Sequence, residues 1–395
     1  MGVSIAVAAV SMPGFFIGAS GVLIRDDLGF TTAGIGLLVS SFFAAGGLFS
    51  PLGGRLSEIL GARTAIQVAC GVTAVSMLAI AVGARGLGSL MAMLAVAGTA
   101  TGLAQPAGNL ALARSQVHPA ALRFGIKQAA VPIAILLAGA SVPLVGLRVG
   151  WRWAFGIGAL LPGLAAMLMP QFAGSQRRGH GSRRRMRTGD AALAPLIVLA
   201  VAAGIGTGAA GAMPAYLVAW SVERDMDPGT AGWLLVAGSL ASVTSRLLAG
   251  WSADRRRGSA LWMLVGMLAG GSAAFVLLSL GTLTMLVLGT LLGFFLGWGW
   301  PGLYNFAVVR LNPNAPGAAS GIAQAGLSTG AAGGPLLFGL VAERFGFVVA
   351  WRGGAVAVVV AAALAVCARC WLLRDRDQRT PERPDVGRGG HCKAG

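Results

Sequence analysis

The sequence predicts an all-α membrane protein: twelve transmembrane helices arranged as two six-helix bundles. Three observations carry this. Of the 395 residues, 56% are hydrophobic and only 11% are charged, where a soluble domain carries about 25% charged residues. The apolar residues fall into twelve stretches close to the ~20 residues that a helix needs to cross a bilayer. The second half of the chain also repeats the polar landmarks of the first. The apolar excess excludes an ordinary soluble enzyme and a disordered chain. The 62 glycines follow no three-residue period, which excludes collagen, and glycine is useful where helices touch in lipid.

The stretches run over 2–24, 31–53, 63–83, 88–113, 124–147, 152–169, 191–219, 229–250, 259–280, 282–309, 317–341 and 349–373. The first is too long for a signal-peptide core and lacks a basic leader, so it reads as a membrane helix. Each break carries a charge or a turn cluster such as Asn312-Pro313-Asn314-Ala315-Pro316. Of the 30 Lys and Arg, 23 fall on the side of the two termini and 7 on the other. This bias places both termini in the cytoplasm of a cell-membrane protein. The domains are 1–170, a basic linker 171–190, 191–373 and a tail 374–395. The linker suits a solvated loop that attracts anionic lipid rather than nucleic acid. Cys367 and Cys370 form a C-x-x-C without further zinc ligands, and they read as structural.

An offset of 196 relates Gly54 and Glu58 to Gly250 and Asp254. It also relates Asn109 to Asn305, Arg114 to Arg310, Gly125 to Gly321 and Gln128 to Gln324. Trp151-Arg152 recurs as Trp351-Arg352 at an offset of 200. Parallel repeats of this kind place a substrate site at their interface, near the bilayer midplane.

After the second helix the chain reads Gly53-Gly54-Arg55-Leu56-Ser57-Glu58-Ile59-Leu60-Gly61-Ala62-Arg63. Its counterpart is Gly250-Trp251-Ser252-Ala253-Asp254-Arg255-Arg256-Arg257. These segments, with the helix count and the basic central loop, resemble the major facilitator superfamily of secondary transporters over nearly the whole chain. The resemblance implies alternating access by two bundles. Two departures stand out: Glu58 replaces the usual Asp, and Ile59 stands where Arg is usual. Glycines at 54 and 250 allow close helix approach. Glu58 is expected to pair with Arg114, and Asp254 with Arg310, as latches that hold the outward-open state.

Ionisable groups inside a bilayer are functional candidates by default. All thirteen acids and all three His lie in loops or at helix ends. A buried Asp/Glu/His proton relay is therefore absent, which counts against export of cationic drugs. The antiporter-type Arg before Gly98 and the Gly-Pro-Gly-Gly pattern in the fifth helix are missing too. The positive candidates are Lys127, the only Lys before the tail, and Arg246. Both read either as snorkelling anchors or as cations that meet an anionic substrate. Gln105, Asn109, Gln128, Tyr304, Asn305 and Gln324 are polar at cavity depth. Tyr216 and Trp220 read as interface-belt residues. The patch Phe294, Phe295, Trp298 and Trp300 reads as packing or as cavity lining. Glycines at 98/102 and 326/330/334 share helix faces, and Pro13, Pro106, Pro132, Pro301 and Pro335 can kink their helices.

No phosphate-binding G-x-x-x-x-G-K-[ST], no H-E-x-x-H and no intramembrane base occur, so the sequence predicts neither an ATP-driven pump nor an enzyme, and no cofactor or metal. The expected function is alternating-access transport of a small solute, with an organic or inorganic anion favoured. A proton or ion can be coupled to it, and no second subunit is required. Efflux of a neutral or hydrophobic compound, and a non-transporting sensor with this fold, remain alternatives.

Overall fold

The computed structural model describes residues 2–113, 120–172, 193–255, 260–312 and 316–379. It contains twelve helices long and apolar enough to cross a membrane. They are α1 (Gly2–Ala19), α2 (Thr32–Leu60), α3 (Ala62–Gly83), α4 (Leu87–Gly108), α5 (Ala121–Val149) and α6 (Trp151–Leu168) in the first half. The second half holds α7 (Leu193–Glu223), α8 (Pro228–Arg255), α9 (Ala260–Leu280), α10 (Leu283–Leu311), α11 (Ala319–Phe345) and α12 (Phe347–Trp371). The basic linker, most of the tail, Arg114 and the Asn109 side chain lie outside the described residues.

Two helices run further than the hydropathy indicates. α2 continues through Gly54 and Glu58 to Leu60, and α8 continues through Asp254 to Arg255. An apolar window stops where polar residues begin, but the backbone ladder carries on past the hydrocarbon. The landmark acids therefore sit in the last helical turns rather than in loops.

Packing follows the small residues. In the first half α2 lies against α4, and in the second α7 lies against α11. A Cβ on Gly53 would collide with the Gly102 carbonyl, and one on Gly330 with the Gly204 carbonyl. Without a hydrophobic drive between helices in lipid, this backbone-to-backbone approach supplies the association. Large apolar side chains face outward on α3 (Val75, Val82), α6 (Trp153, Leu164) and α12 (Val356, Val359). That is where lipid replaces protein as the neighbour.

The repeat is visible in the turns. α5 and α6 are joined at Gly150, with φ 100°, and α11 and α12 at Gly346, with φ 83°. Both turns need the left-handed backbone that glycine adopts without strain, and the two positions stand 196 apart. The halves meet mainly through α2 on α11 and α5 on α8, with α1 on α7 between them. The first two contacts are images of each other under the repeat.

The Trp-Arg recurrence does not carry a shared role. Trp151 Nε1 and Arg152 Nη1 donate to Asp27 Oδ2 at 3.0 and 2.6 Å, and Arg152 Nη2 donates to the Ala84 carbonyl at 3.0 Å. The Arg152 guanidinium, then the Trp151 indole, hold the Asp27 carboxyl below its ordinary range. Trp351 instead packs between Phe338 and Phe275. The 196 offset pairs Trp151 with Phe347, so the 200 spacing is not the structural register.

Candidate functional site

A cavity of about 150 Å³ lies between the halves, walled by α1, α2, α4, α5, α7, α8, α10 and α11. Its walls are largely glycine and apolar side chains, among them Phe15, Phe43 and Leu327. Four expected residues line it: Gln105, Gln128, Arg246 and Gln324. No Asp or Glu is among the lining residues described.

Arg246 is 2% exposed. Burying a guanidinium costs several kcal/mol unless its donors are used. Here local helix chemistry supplies the acceptors. Pro132 has no N–H, so the Gln128 carbonyl four residues earlier has no helical donor. Arg246 Nη1 donates to that carbonyl. In α10 a π-turn spans Gly293–Gly297, closed by Trp298 N–H donating to the Gly293 carbonyl at 2.9 Å. Pro301 then leaves the Gly297 carbonyl without its helical donor, and Trp300 Nε1 donates to it at 2.9 Å. Arg246 Nη2 donates to the Trp298 carbonyl at 2.7 Å. The guanidinium also lies 5.9 Å from the Trp298 ring centre. One side chain of α8 thus fastens interrupted helices from both halves. Arg246 Nε, Trp298 Nε1 and Thr207 Oγ1 are buried without a hydrogen-bond partner among the described residues.

Lys127 is 6% exposed and does not snorkel to the surface. Its Nζ donates to Gln105 Oε1 at 3.1 Å, so it stands directly behind a lining residue. Gln324 Nε2 reaches Ser328 Oγ at 3.4 Å. Tyr304 is fully buried, edge-on to Trp300, and neither it nor Asn305 reaches the cavity wall. Of the aromatic patch, Trp298 lines the cavity, while Phe294 is packed away against Gly238.

The end of the bundle bearing the start of the chain is the terminal face, and the opposite end is the distal face. The halves touch closely on the distal face. Ala33 N–H, at the start of α2, donates to Glu343 Oε2 at 2.9 Å across the halves, and Tyr216 Oη, which donates to the Pro335 carbonyl of its own half at 2.9 Å, stands where a Cβ on Gly36 would fall. Trp220 Nε1 donates to the Leu278 carbonyl at 3.0 Å. Tyr216 and Trp220 are both 0% exposed. They are therefore packing residues, not interface-belt residues: their polar tips bond inside the bundle instead of reaching water.

Among the described residues, one close seam joins the halves on the terminal face. Asp254 does not pair with Arg310. Its two oxygens accept from Ala121 N–H at 3.0 Å and Leu122 N–H at 2.8 Å, capping the start of α5 from the other half. A helix N-terminus offers unsatisfied amides and a positive dipole end, which a carboxylate suits well. Arg310 is exposed beside the Phe306 ring at 5.8 Å. Beside this cap, a Cβ on Gly250 would come within 2.9 Å of the Ala121 carbonyl, and one on Gly125 within 3.9 Å of Gly250. The image pair behaves differently. Gly321 has nothing within 4 Å, and Gly54 meets only Pro106 of its own half. Glu58 is exposed, and its expected partner Arg114 lies outside the described residues. α2 and α11 touch from Ala33 to Gly47, where a Cβ would stand 3.2 Å from Ser328, and further toward their terminal ends neither Gly54 nor Gly321 meets the other helix.

Sequence reasoning missed the hydroxyl-bearing lining residues Ser11, Ser50, Thr101, Thr207 and Ser328. Ser and Thr within membrane helices commonly return their proton to a carbonyl of their own helix, as Ser11 does to Val7. Nothing in such a residue marks it for the cavity. The Arg246 partner on α5 was signalled by Pro132 four residues after Gln128.

Two repeated helical bundles around an interfacial cavity define a membrane carrier. The chain belongs to the Major Facilitator Superfamily, whose family model matches residues 3–204 and again 196–393. This places it among transporters of small solutes. Its fold is similar to a crystal structure of the nucleoside transporter NupG (D323A mutant), with a TM-score of 0.71 and 16% identity over 93% of this chain and 99% of that one. It is also similar to a bacterial homologue of the human lysosomal transporter Spinster in an inward-facing, occupied conformation. There the TM-score is 0.68, with 14% identity over 95% of this chain and 96% of that one. No curated protein sequence matches the chain.

Proposed function

We propose that the protein carries a small organic anion with an apolar body across the cell membrane by alternating access, both termini being cytoplasmic. The donor set of the cavity carries this reading. Arg246 Nε and Trp298 Nε1 are donor-only groups, buried and without a partner among the described residues. Lys127 adds a second buried cation behind Gln105. No described lining residue is a carboxylate. Donor-only groups under positive charge require an acceptor-rich, negatively charged group, and the low dielectric strengthens that attraction. Phe15, Phe43 and Leu327 suit an apolar remainder of the solute.

The three glutamines on the wall favour a second reading, an uncharged polar solute of nucleoside type. Benzoate and benzamide, matched in shape but not in charge, separate the two. Benzoate is expected to stabilise the purified protein against heat, and benzamide is not. Stabilisation by benzamide or uridine with none by benzoate would overturn the anion reading in favour of the second.

A further inference from the structure

We infer that Arg246 is a strap released by the substrate itself: an anion bound side-on to its guanidinium displaces the Trp298 carbonyl and frees the terminal half of α10, while the tie to α5 stays. The inference rests on the anion reading of the cavity and adds how occupancy is converted into movement.

The geometry gives the direction. The three nitrogens of Arg246 are in different situations. Nη1 is committed to the Gln128 carbonyl, Nη2 to the Trp298 carbonyl at 2.7 Å, and Nε has no partner among the described residues. A carboxylate takes a guanidinium most strongly through two parallel N–H bonds. Nε and Nη2 point the same way from the guanidinium and form one such fork. An anion drawn to the unpartnered Nε therefore completes its second bond at Nη2. A carboxylate brings an opposite charge and a second parallel bond, neither of which the neutral carbonyl offers, so the exchange is favourable. Nη1 points elsewhere and keeps Gln128.

The two carbonyls also differ in their fate once released. The Gln128 carbonyl has proline four residues on, so it has no helical donor to return to. The Trp298 carbonyl has Gly302, whose N–H can restore the ordinary helical bond. Trp298 sits between the π-turn Gly293–Gly297 and Pro301, where α10 is already interrupted. Such interruptions are where membrane helices bend. Losing the tie at Trp298 thus lets the segment from Pro301 to Leu311 straighten and move against α8. The seam of α5 on α8, held at its end by Asp254 on Ala121 and Leu122, does not depend on that tie. Substrate is thereby expected to move α10 and leave the α5–α8 pair as one body.

The test measures distances between spin labels in the full chain, with its native cysteines replaced. One pair joins Leu248 of α8 to Leu311 of α10, and the other joins Leu248 to Ile126 of α5. Benzoate is the probe, and its binding is read separately from thermal stabilisation. The expected result is a benzoate-dependent change in the 248–311 distance with the 248–126 distance unchanged. Arg246→Lys keeps a cation but loses the fork. It should show the benzoate-bound 248–311 distance without any ligand, and bind benzoate about tenfold more weakly. Binding of benzoate with no change at 248–311, or an unliganded Arg246→Lys identical to wild type, would overturn the strap and leave the anion reading intact. Failure of benzoate to bind, with Arg246→Lys still shifted, would overturn the anion reading and retain the tie between α8 and α10.

Discussion

Arg246 and Lys127 show how a charge becomes tolerable inside a membrane helix bundle. Neither is compensated by a lining carboxylate; each uses carbonyl oxygen or an amide instead. Replacing Lys127 with Ala leaves the fold with one buried charge fewer and is expected to weaken benzoate binding at least about tenfold, roughly 1.4 kcal/mol. An unchanged dissociation constant, measured by titration calorimetry, would make Lys127 a packing residue. Asp27 allows a prediction by pH. Its folded-state affinity for protons is lowered by Arg152 and Trp151. The corner it forms therefore contributes stability above its unfolded pKa of about 3.9, and that contribution is lost as pH falls through the lower folded value. The thermal midpoint should drop more steeply below about pH 4 in wild type than in Asp27→Asn. Parallel curves would show that Asp27 holds nothing. Which residues carry charge was readable from the sequence. Their partners were not, because a backbone carbonyl becomes available only where a helix is interrupted. Pro132 announced one such place, and the π-turn before Trp298 announced nothing.

The helices themselves are legible because hydropathy is a property of ~20 consecutive residues. Their ends are not, since the last turns of α2 and α8 are polar and yet helical. That difference matters, because the last turn of α8 carries Asp254 to the start of α5, while the last turn of α2 leaves Glu58 exposed. The expected Asp254–Arg310 pair matched charge to charge within one half. The structure instead sets the carboxylate on the backbone amides that begin α5, in the other half. The seam α5–α8 is close on the terminal face, while in its repeat image α2–α11 neither Gly54 nor Gly321 meets the other helix. Asp254→Asn keeps the side-chain oxygen but loses the charge that suits a helix N-terminus. It should raise the labelling rate of a cysteine placed at Leu122 by several-fold, whereas the same change at Glu58 should leave that rate alone. Equal effects from the two would contradict the asymmetry. The glycine contacts give a cruder test. Gly330→Leu places a side chain where the Gly204 carbonyl stands. The overpacking should cost about 1–3 kcal/mol, seen as a lowered unfolding midpoint.

The whole molecule is a repeat whose two halves have diverged in charge. The 196-residue offset holds for the turns at Gly150 and Gly346, for Gly54 with Gly250, for Gly125 with Gly321 and for Gln128 with Gln324. It fails at the two buried cations: the image of Lys127 is Ala323, and that of Arg246 is Ser50. The symmetric part builds the carrier fold, and under the anion reading proposed above the asymmetric part supplies what it recognises. For this reason the class of protein was legible in the sequence and the solute was not. Three-residue or four-residue spacings reveal a helix face but not which face turns to the cavity, and the cavity draws between one and five residues from each of eight helices. Several of these, such as Ser11 and Thr101, are indistinguishable in the sequence from ordinary membrane-helix hydroxyls. Among the described residues, the distal contact of Ala33 with Glu343 has no counterpart between Gly54 and Gly321 nearer the terminal face. Anion carriage through Arg246 is decided by counterflow in sealed proteoliposomes loaded with benzoate, with radiolabelled benzoate or benzamide outside. The expected result is saturable accumulation of benzoate, little of benzamide, and loss of the benzoate signal in Arg246→Gln. Accumulation of benzamide at the same rate, or of benzoate undiminished in Arg246→Gln, would contradict it.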